Sequence, residues 1–146
     1  MTAMGASGIR KLRGLKNLSW LSARQLTRLS AALLVSTVEK REVIISEKSA
    51  PEAAYVLLSG VARITCRNRK GDRSLVIMVA PGMIPGFPPP VRGISYNFRC
   101  EAITVCQVGT IDLKTFIEIS LGIASEDFKR MAVSYLGRWD LVAYNS

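Results

Sequence analysis

Histidine is absent from all 146 residues. That absence removes Ser-His-Asp and Cys-His catalysis, zinc sites that need imidazole, and haem held by a histidine. Cysteine is scarce as well: Cys66, Cys100 and Cys106 are the three, and no Cys-x-x-Cys spacing occurs. An odd set of separated thiols fits a reducing compartment better than a disulfide scaffold, and three thiols cannot supply four ligands to an iron–sulfur cluster. No apolar run is long enough to cross a bilayer. Residues 1–8 are small and polar with no apolar stretch behind them, so no signal peptide is expected. The chain is read as cytoplasmic, without a membrane partner, a metal or a cofactor. With histidine missing, the acid–base candidates reduce to eleven carboxylates with the lysines and tyrosines. None forms a spaced pair beside a nucleophile, so the expectation is a protein that is not an enzyme.

What is present suits one folded domain. Hydrophobic residues make up 49% and charged residues 21%, which supports a core and argues against disorder. Net charge is +9, a balance that attracts nucleic acid or anionic ligands. The cations fall in separate groups: Arg10, Lys11, Arg13 and Lys16; Arg67, Arg69, Lys70 and Arg73; Lys129, Arg130 and Arg138. Because the cations are scattered, solvated faces are the favoured reading of these groups, with an anionic partner as the alternative.

Periodicity divides the chain. Residues 1–17 read as a loose basic lead-in with one helical turn. Ser22 followed by Gln25 is a capping-box pattern, and Leu26, Leu29 and Leu33 recur at helical spacing, which predicts a helix over 23–34. Short β-rich runs follow at 43–45 and 55–58, separated by a break at 46–51. Ser59-Gly60 marks a turn. Residues 61–66 and 73–79 alternate around a hairpin loop at 67–72, where Gly71 can take positive φ; Leu75, Ile77 and Val79 are expected on one face. Pro81-Gly82 is another turn, and runs at 98–105 and 107–111 complete a strand set that indicates a sandwich or barrel. Four of the six prolines stand between Ile84 and Ser95, so that segment is neither a central strand nor a helix interior. A short helix is predicted over 113–119, ending near Gly122. Ser125 then caps a longer one, with Glu126 and Asp127 in its first turn. Along it Phe128, Met131, Ala132, Tyr135, Trp139 and Val142 make an apolar seam, which can pair with a second copy or pack on its own β domain.

The order of helix, short strands and long amphipathic helix resembles the effector domain of the Crp/Fnr transcription regulators, and local residues agree. Tyr55-Val56-Leu57-Leu58-Ser59-Gly60-Val61-Ala62-Arg63 is similar to that family's Tyr-x-Leu-x-Ser-Gly-x-x-Arg hairpin. Glu42-Val43-Ile44 with Glu47 resembles the strand before it, and Pro81-Gly82 with Gly86 resembles its Pro-Gly-x-x-x-Gly turn. Ala102-Ile103-Thr104, Val108, Ile111 and Phe116 resemble the closing strands and the next helix. The resemblance implies a mainly β fold with flanking helices: a double-stranded β-helix (jelly-roll) of the cyclic-nucleotide-binding-like type over 18–122, then a long dimerisation helix over 123–146. It also implies a homodimer through the 128–142 seam. DNA is expected only through a helix-turn-helix domain that would follow and that these residues do not include. A fragment is the favoured expectation, and a stand-alone dimeric interaction module of the same fold is the alternative.

Cyclic-nucleotide binders of this fold resemble one another in a Gly-Glu-Leu-Ala stretch followed by Arg-Ser-Ala. Helix-start amides and the arginine hold phosphate, and the glutamate accepts from the ribose hydroxyl. This sequence departs at each point. Gly86 is followed by Phe87, Pro88-Pro89-Pro90 bring no N–H donors, and Tyr96-Asn97-Phe98 stand at the Arg-Ser-Ala positions. Neither Arg92 nor Arg99 falls on the motif. Cyclic AMP and cyclic GMP are therefore expected not to bind in the usual mode. Gly86, Phe87, Ile94, Tyr96, Asn97, Phe98 and Arg99 are the candidates for a pocket that either takes an unidentified small-molecule effector or is filled by its own side chains. The cysteines read as small buried hydrophobes or as redox sensors. Arg63 reads as exposed rather than ligand-binding.

Overall fold

In the computed structural model, which describes residues 1–5, 8–87 and 97–122, three layers stack. Helices cover one face of a first sheet, and a second sheet packs on its other face. The elements in chain order are β1 (Thr2–Ala3), α1 (Gly8–Arg13), a 3-10 turn (Lys16–Leu18), α2 (Ala23–Ala32), β2 (Leu34–Val38), β3 (Val43–Ile45), β4 (Ala53–Ser59), β5 (Ala62–Arg67), β6 (Arg73–Val79), β7 (Arg99–Ala102), β8 (Cys106–Asp112) and α3 (Leu113–Leu121). The first sheet has the order β1-β2-β8-β4 and the second β3-β7-β5-β6. Every pairing is antiparallel.

Strand β4 shows why the layers hold. Its side chains alternate, as any strand's must. Val56 and Leu58 point to the helical layer, where they meet Leu12, Leu18, Leu26, Leu29, Leu33 and Phe116. Leu57 points the other way, into a cluster with Ile45, Ala62, Val79, Cys100, Ala102, Cys106 and Val108 between the sheets. Both faces of β4 are therefore buried. Each full burial of such a side chain contributes about 1.5–3 kcal/mol.

Local signals act as the sequence implies at several points. The Ser22 hydroxyl accepts from the Gln25 N–H (3.1 Å) and the Gln25 side chain accepts from the Ser22 N–H (2.7 Å), a complete capping box. Gln25 reaches further: its amide nitrogen donates to the carbonyls of Ile119 and Ser120 at 3.2 and 3.1 Å, tying α2 to α3. The hairpin loop is organised by Asn68, whose side-chain oxygen accepts from the N–H groups of Lys70 and Asp72, both at 2.9 Å. Gly71 takes φ of 86° there. At the end of α3, Gly122 adopts the left-handed conformation and closes the helix with a bond from its N–H to the Glu118 carbonyl.

Other expectations are corrected. The lead-in is not loose over its whole length: residues 8–13 form α1, and Leu12 is wholly buried in the core. The helix over 23–34 stops at Ala32, because Leu33 turns extended and the chain enters β2, a strand that periodicity did not reveal. The strand over 98–105 is shorter, and residues 103–104 instead turn onto Val61. Leu75, Ile77 and Val79 do not share a face. A bulge opposite Ile64 and Thr65 places Ile77 against the first and Leu75 against the second, so Val76 is the extra residue and the alternation flips. Leu75, Val76, Ile77 and Met78 are all exposed on this edge strand. The long helix over 123–146 and its seam, Phe128, Met131, Ala132, Tyr135, Trp139 and Val142, lie outside the described residues.

The two crossings between the sheets meet at Gly60. Its φ is 90°, and a Cβ there would stand 2.4 Å from the Val105 carbonyl oxygen and 2.9 Å from the Cys106 sulfur. Gly60→Ala is expected to destabilise the protein by more than Ser22→Ala. The serine change removes one cap, at about 1 kcal/mol, whereas the glycine change strains φ and forces backbone apart. Chemical denaturation of the two variants checks this order.

Candidate functional site

The segment at the mouth of the β domain is built by a turn that hangs on β4. The Gly82 N–H donates to the Leu57 carbonyl at 2.7 Å, and the Leu57 N–H donates to the Met83 carbonyl at 3.1 Å. Pro81 accepts from the Asn17 side-chain amide at 2.9 Å, which fastens the turn to the N-terminal layer. Gly82 has φ of 88°, and a Cβ there would meet that of Asn17 at 2.9 Å. Gly86 follows with φ of 79°. The Pro-Gly-x-x-x-Gly pattern is thus a pair of left-handed positions that bring the chain back beneath the first sheet.

Between the sheets, beside this turn, lies a narrow gap lined by Ile44, Tyr55, Leu57, Ala62, Val79, Pro85 and Val108. It leaves no space wide enough for a water molecule. Among the described residues Tyr55 brings its only polar side-chain group, and burial, followed by the Glu52 charge, pushes the phenol pKa up. Among the described residues no cation lines this gap.

The sequence-derived pocket residues scatter. Phe87 packs edge-on against Phe116, ring centroids 5.0 Å apart at 85°, and belongs with the helical core. Phe98 packs against the inter-sheet cluster. Asn97 is exposed. Arg99 neighbours Cys100, which is buried between the sheets; strand alternation therefore sends Arg99 to the outer face, where Nη2 stands 3.8 Å from Oε2 of Glu101. Ile94 and Tyr96, with Pro88, Pro89, Pro90 and Arg92, lie outside the described residues. The structure brings Gly86 and Phe87 together at the turn, and it separates Arg99 from the interior.

Charged groups that the sequence did not single out as a set gather on the outer face of the second sheet. Arg63 donates through Nε to Oε1 of Glu101 at 2.6 Å, and its Nη2 stands at the same distance. Glu101 is 8% exposed, a carboxylate that needs this pairing. Arg63 is therefore half-exposed and structural in its contact. Arg73 binds the Glu47 carboxylate through Nη2 and donates through Nη1 to Thr65 Oγ1 at 2.9 Å. The hydrogen bond from Arg73 holds the Glu47 carboxyl below its ordinary pKa. Only cross-strand register joins residues 38 apart, such as Arg63 and Glu101. The usable signal was Arg63 itself, an arginine in an alternating strand.

Comparisons with known proteins agree with this architecture. Residues 35–121 match the family model described as cyclic nucleotide-binding domain. Among solved structures, the chain is similar to a regulatory protein of Silicibacter pomeroyi DSS-3 assigned to cAMP binding. That match has 18% identity and a TM-score of 0.68, covering 94% of this chain and 63% of that one. It is similar to the regulatory subunit of a cAMP-independent protein kinase A from Trypanosoma cruzi bound to guanosine, with 20% identity, a TM-score of 0.71, and coverage of 95% and 49%. A cyclic nucleotide-binding-like protein from Brucella abortus matches with 19% identity and a TM-score of 0.58 over 77% of this chain and 97% of that one. The chain spans less than two thirds of the length of the first two. At these identities the likeness shows the fold. No curated protein sequence matches the chain.

The cysteines complete the chemistry of the interior. Cys100 and Cys106 are fully buried between the sheets, and Cys66 is partly exposed. Burial first, then the neighbouring Cys106 and Glu101, pushes the Cys100 thiol up to about 12. At neutral pH it is a protonated small hydrophobe, not a thiolate nucleophile. Native protein treated with a thiol reagent near pH 8 is expected to label Cys66 alone, with Cys100 and Cys106 reacting only after denaturation. Mass spectrometry of the labelled peptides reads the outcome.

Proposed function

The chain belongs to the cyclic nucleotide-binding domain family, and we propose that it is the dimeric regulatory half of a Crp/Fnr-like transcription regulator whose phosphate cassette no longer takes cAMP or cGMP. The observation that carries this reading is the separation of charge from the interior. Among the described residues the gap between the sheets is lined by apolar groups and Tyr55, and Arg63 and Arg99 sit with Glu101 on the outer face of the second sheet. Phe87 follows Gly86 in place of the acidic ribose acceptor and is engaged by Phe116. Three consecutive prolines then supply no N–H donors. Among the described residues, the gap offers a phosphodiester no cation in return for the water it would lose.

The relatives support a domain of this fold working without cAMP. The Trypanosoma cruzi protein is a regulatory subunit of a cAMP-independent kinase, and it carries guanosine. A regulatory role also suits a family fold in which the described residues bring no nucleophile and base together. Base-specific reading of a promoter belongs to a separate helix-turn-helix domain in this reading. A stand-alone dimeric interaction module is the second reading, favoured by the Brucella abortus protein, which is little longer than the matched region.

Calorimetric titration of the full chain with cAMP and with cGMP is expected to give no saturable heat up to about 1 mM ligand, an affinity weaker than about 4 kcal/mol of binding. Micromolar binding of either would overturn the degenerate-cassette reading. Pairing is assigned to Phe128, Met131, Ala132, Tyr135, Trp139 and Val142. Sedimentation of the full chain is expected at the dimer mass, and Tyr135→Glu with Trp139→Glu at the monomer mass; a monomeric wild type removes the dimer from the proposal.

A further inference from the structure

No acidic residue precedes Glu39, whereas Arg10, Lys11, Arg13, Lys16, Arg24 and Arg28 do. The six positive charges therefore stand on a segment of the helical layer that carries no acidic residue of its own; Glu118 belongs to α3, which packs on α2. All six are exposed, and among the described residues none takes part in an ion pair; those pairs use Arg63, Arg73 and Arg99.

Packing decides where they point. On α2, steps of about 100° per residue place Arg24 and Arg28 opposite Leu26 and Leu29, which are buried. The two arginines are one turn apart, a spacing at which like charges oppose each other. On α1, Arg10 falls opposite the buried Leu12. The two helices pack on each other, so these cations occupy the solvent side of one two-helix layer. Trp20 is 50% exposed in the turn between Lys16 and Arg24. It presents an aromatic face beside the charges.

We propose that this face of α1 and α2 binds the phosphate backbone of a nucleic acid. Four of the six cations are arginines, whose planar fork matches phosphate oxygens. They are held at fixed spacing on packed helices rather than on a mobile tail. An exposed tryptophan among cations offers a surface on which a base can stack without regard to sequence. A membrane surface fits less well, because interfacial helices need apolar area to bury in the lipid. Here the leucines of both helices are spent in the core. The face lies on the helical side of the first sheet, away from the gap between the sheets. This inference therefore stands apart from the cyclic-nucleotide reading, which calorimetry tests separately.

Fluorescence anisotropy of the full chain with labelled DNA of about 20 nucleotides, single-stranded and duplex, reads the proposal. Binding is expected at about 50 mM salt, falling steeply as salt rises. Arg24→Glu with Arg28→Glu is expected to weaken it at least about tenfold and to lower the log–log salt slope by about 2. The control, Arg69→Glu with Lys70→Glu on the hairpin tip, changes net charge equally and is expected to leave affinity within about twofold. Trp20→Ala is expected to weaken the single strand more than the duplex. All these positions are exposed, so melting temperatures should stay close to that of the parent. Equal loss in the helix variant and the hairpin control overturns the proposal, because binding would then follow net charge alone. So does absence of oligonucleotide binding, including the case in which phosphatidylserine vesicles bind instead.

Discussion

At one corner the chain passes between the two sheets twice, and the two passages are locked together. Ser59 to Ala62 leaves the first sheet for the second, and Ala102 to Cys106 returns. The N–H groups of Ile103 and Thr104 both donate to the Val61 carbonyl, at 2.9 and 3.2 Å, while the Val61 N–H donates to the Thr104 hydroxyl at 3.0 Å. The crossing is so close that position 60 has no room for a side chain. Because β4 and β8 are paired on one side of this corner and β5 and β7 on the other, it sets the spacing of the sheets. Ala62, Cys100, Ala102 and Cys106, small side chains next to the corner, fill what little volume that spacing allows.

The gap inherits this constraint. Near the corner the sheets are too close for water, and further out Ile44, Tyr55, Val79 and Pro85 occupy the space. Polar chemistry is displaced outward. Glu101, Arg63 and Arg99 share a face with Thr65, Arg73 and Glu47, where arginine stems cover two nearly buried groups, Glu101 and Thr65. Each of these arginines faces a carboxylate on the outer face, and none of them lines the gap.

Much of the frame was legible because it is encoded by residues close in sequence. Ser22 and Gln25, Asn68 with Gly71, and Gly122 act through bonds spanning a few residues, so their residue types announce their roles. The Gly60 and Gly82 turns were legible for the same reason, although what makes them obligatory is distant: Val105 in one case and Asn17 in the other. Strand β2 was missed because it follows the α2 cap without a break and pairs with residues more than 65 positions away. The Val76 bulge was missed because alternation alone cannot show that one strand has slipped against its neighbour. Arg99 looked like a pocket cation by its position beside Phe98, and its orientation depended on which face Cys100 took.

By itself, then, the sequence determined composition-level chemistry: no imidazole, scattered thiols, Phe87 directly after Gly86, and three consecutive prolines that bring no N–H donors. It also determined the caps and turns, since those are local bonds between neighbours. The tertiary structure alone decided which face each β residue presents, because face follows register, and register is settled by pairing between strands far apart in the chain. It likewise decided that Arg63 meets Glu101, that Phe87 meets Phe116, and that the cations of α1 and α2 share one surface. Those relations exist only once buried leucines have fixed how the helices lie on the sheet.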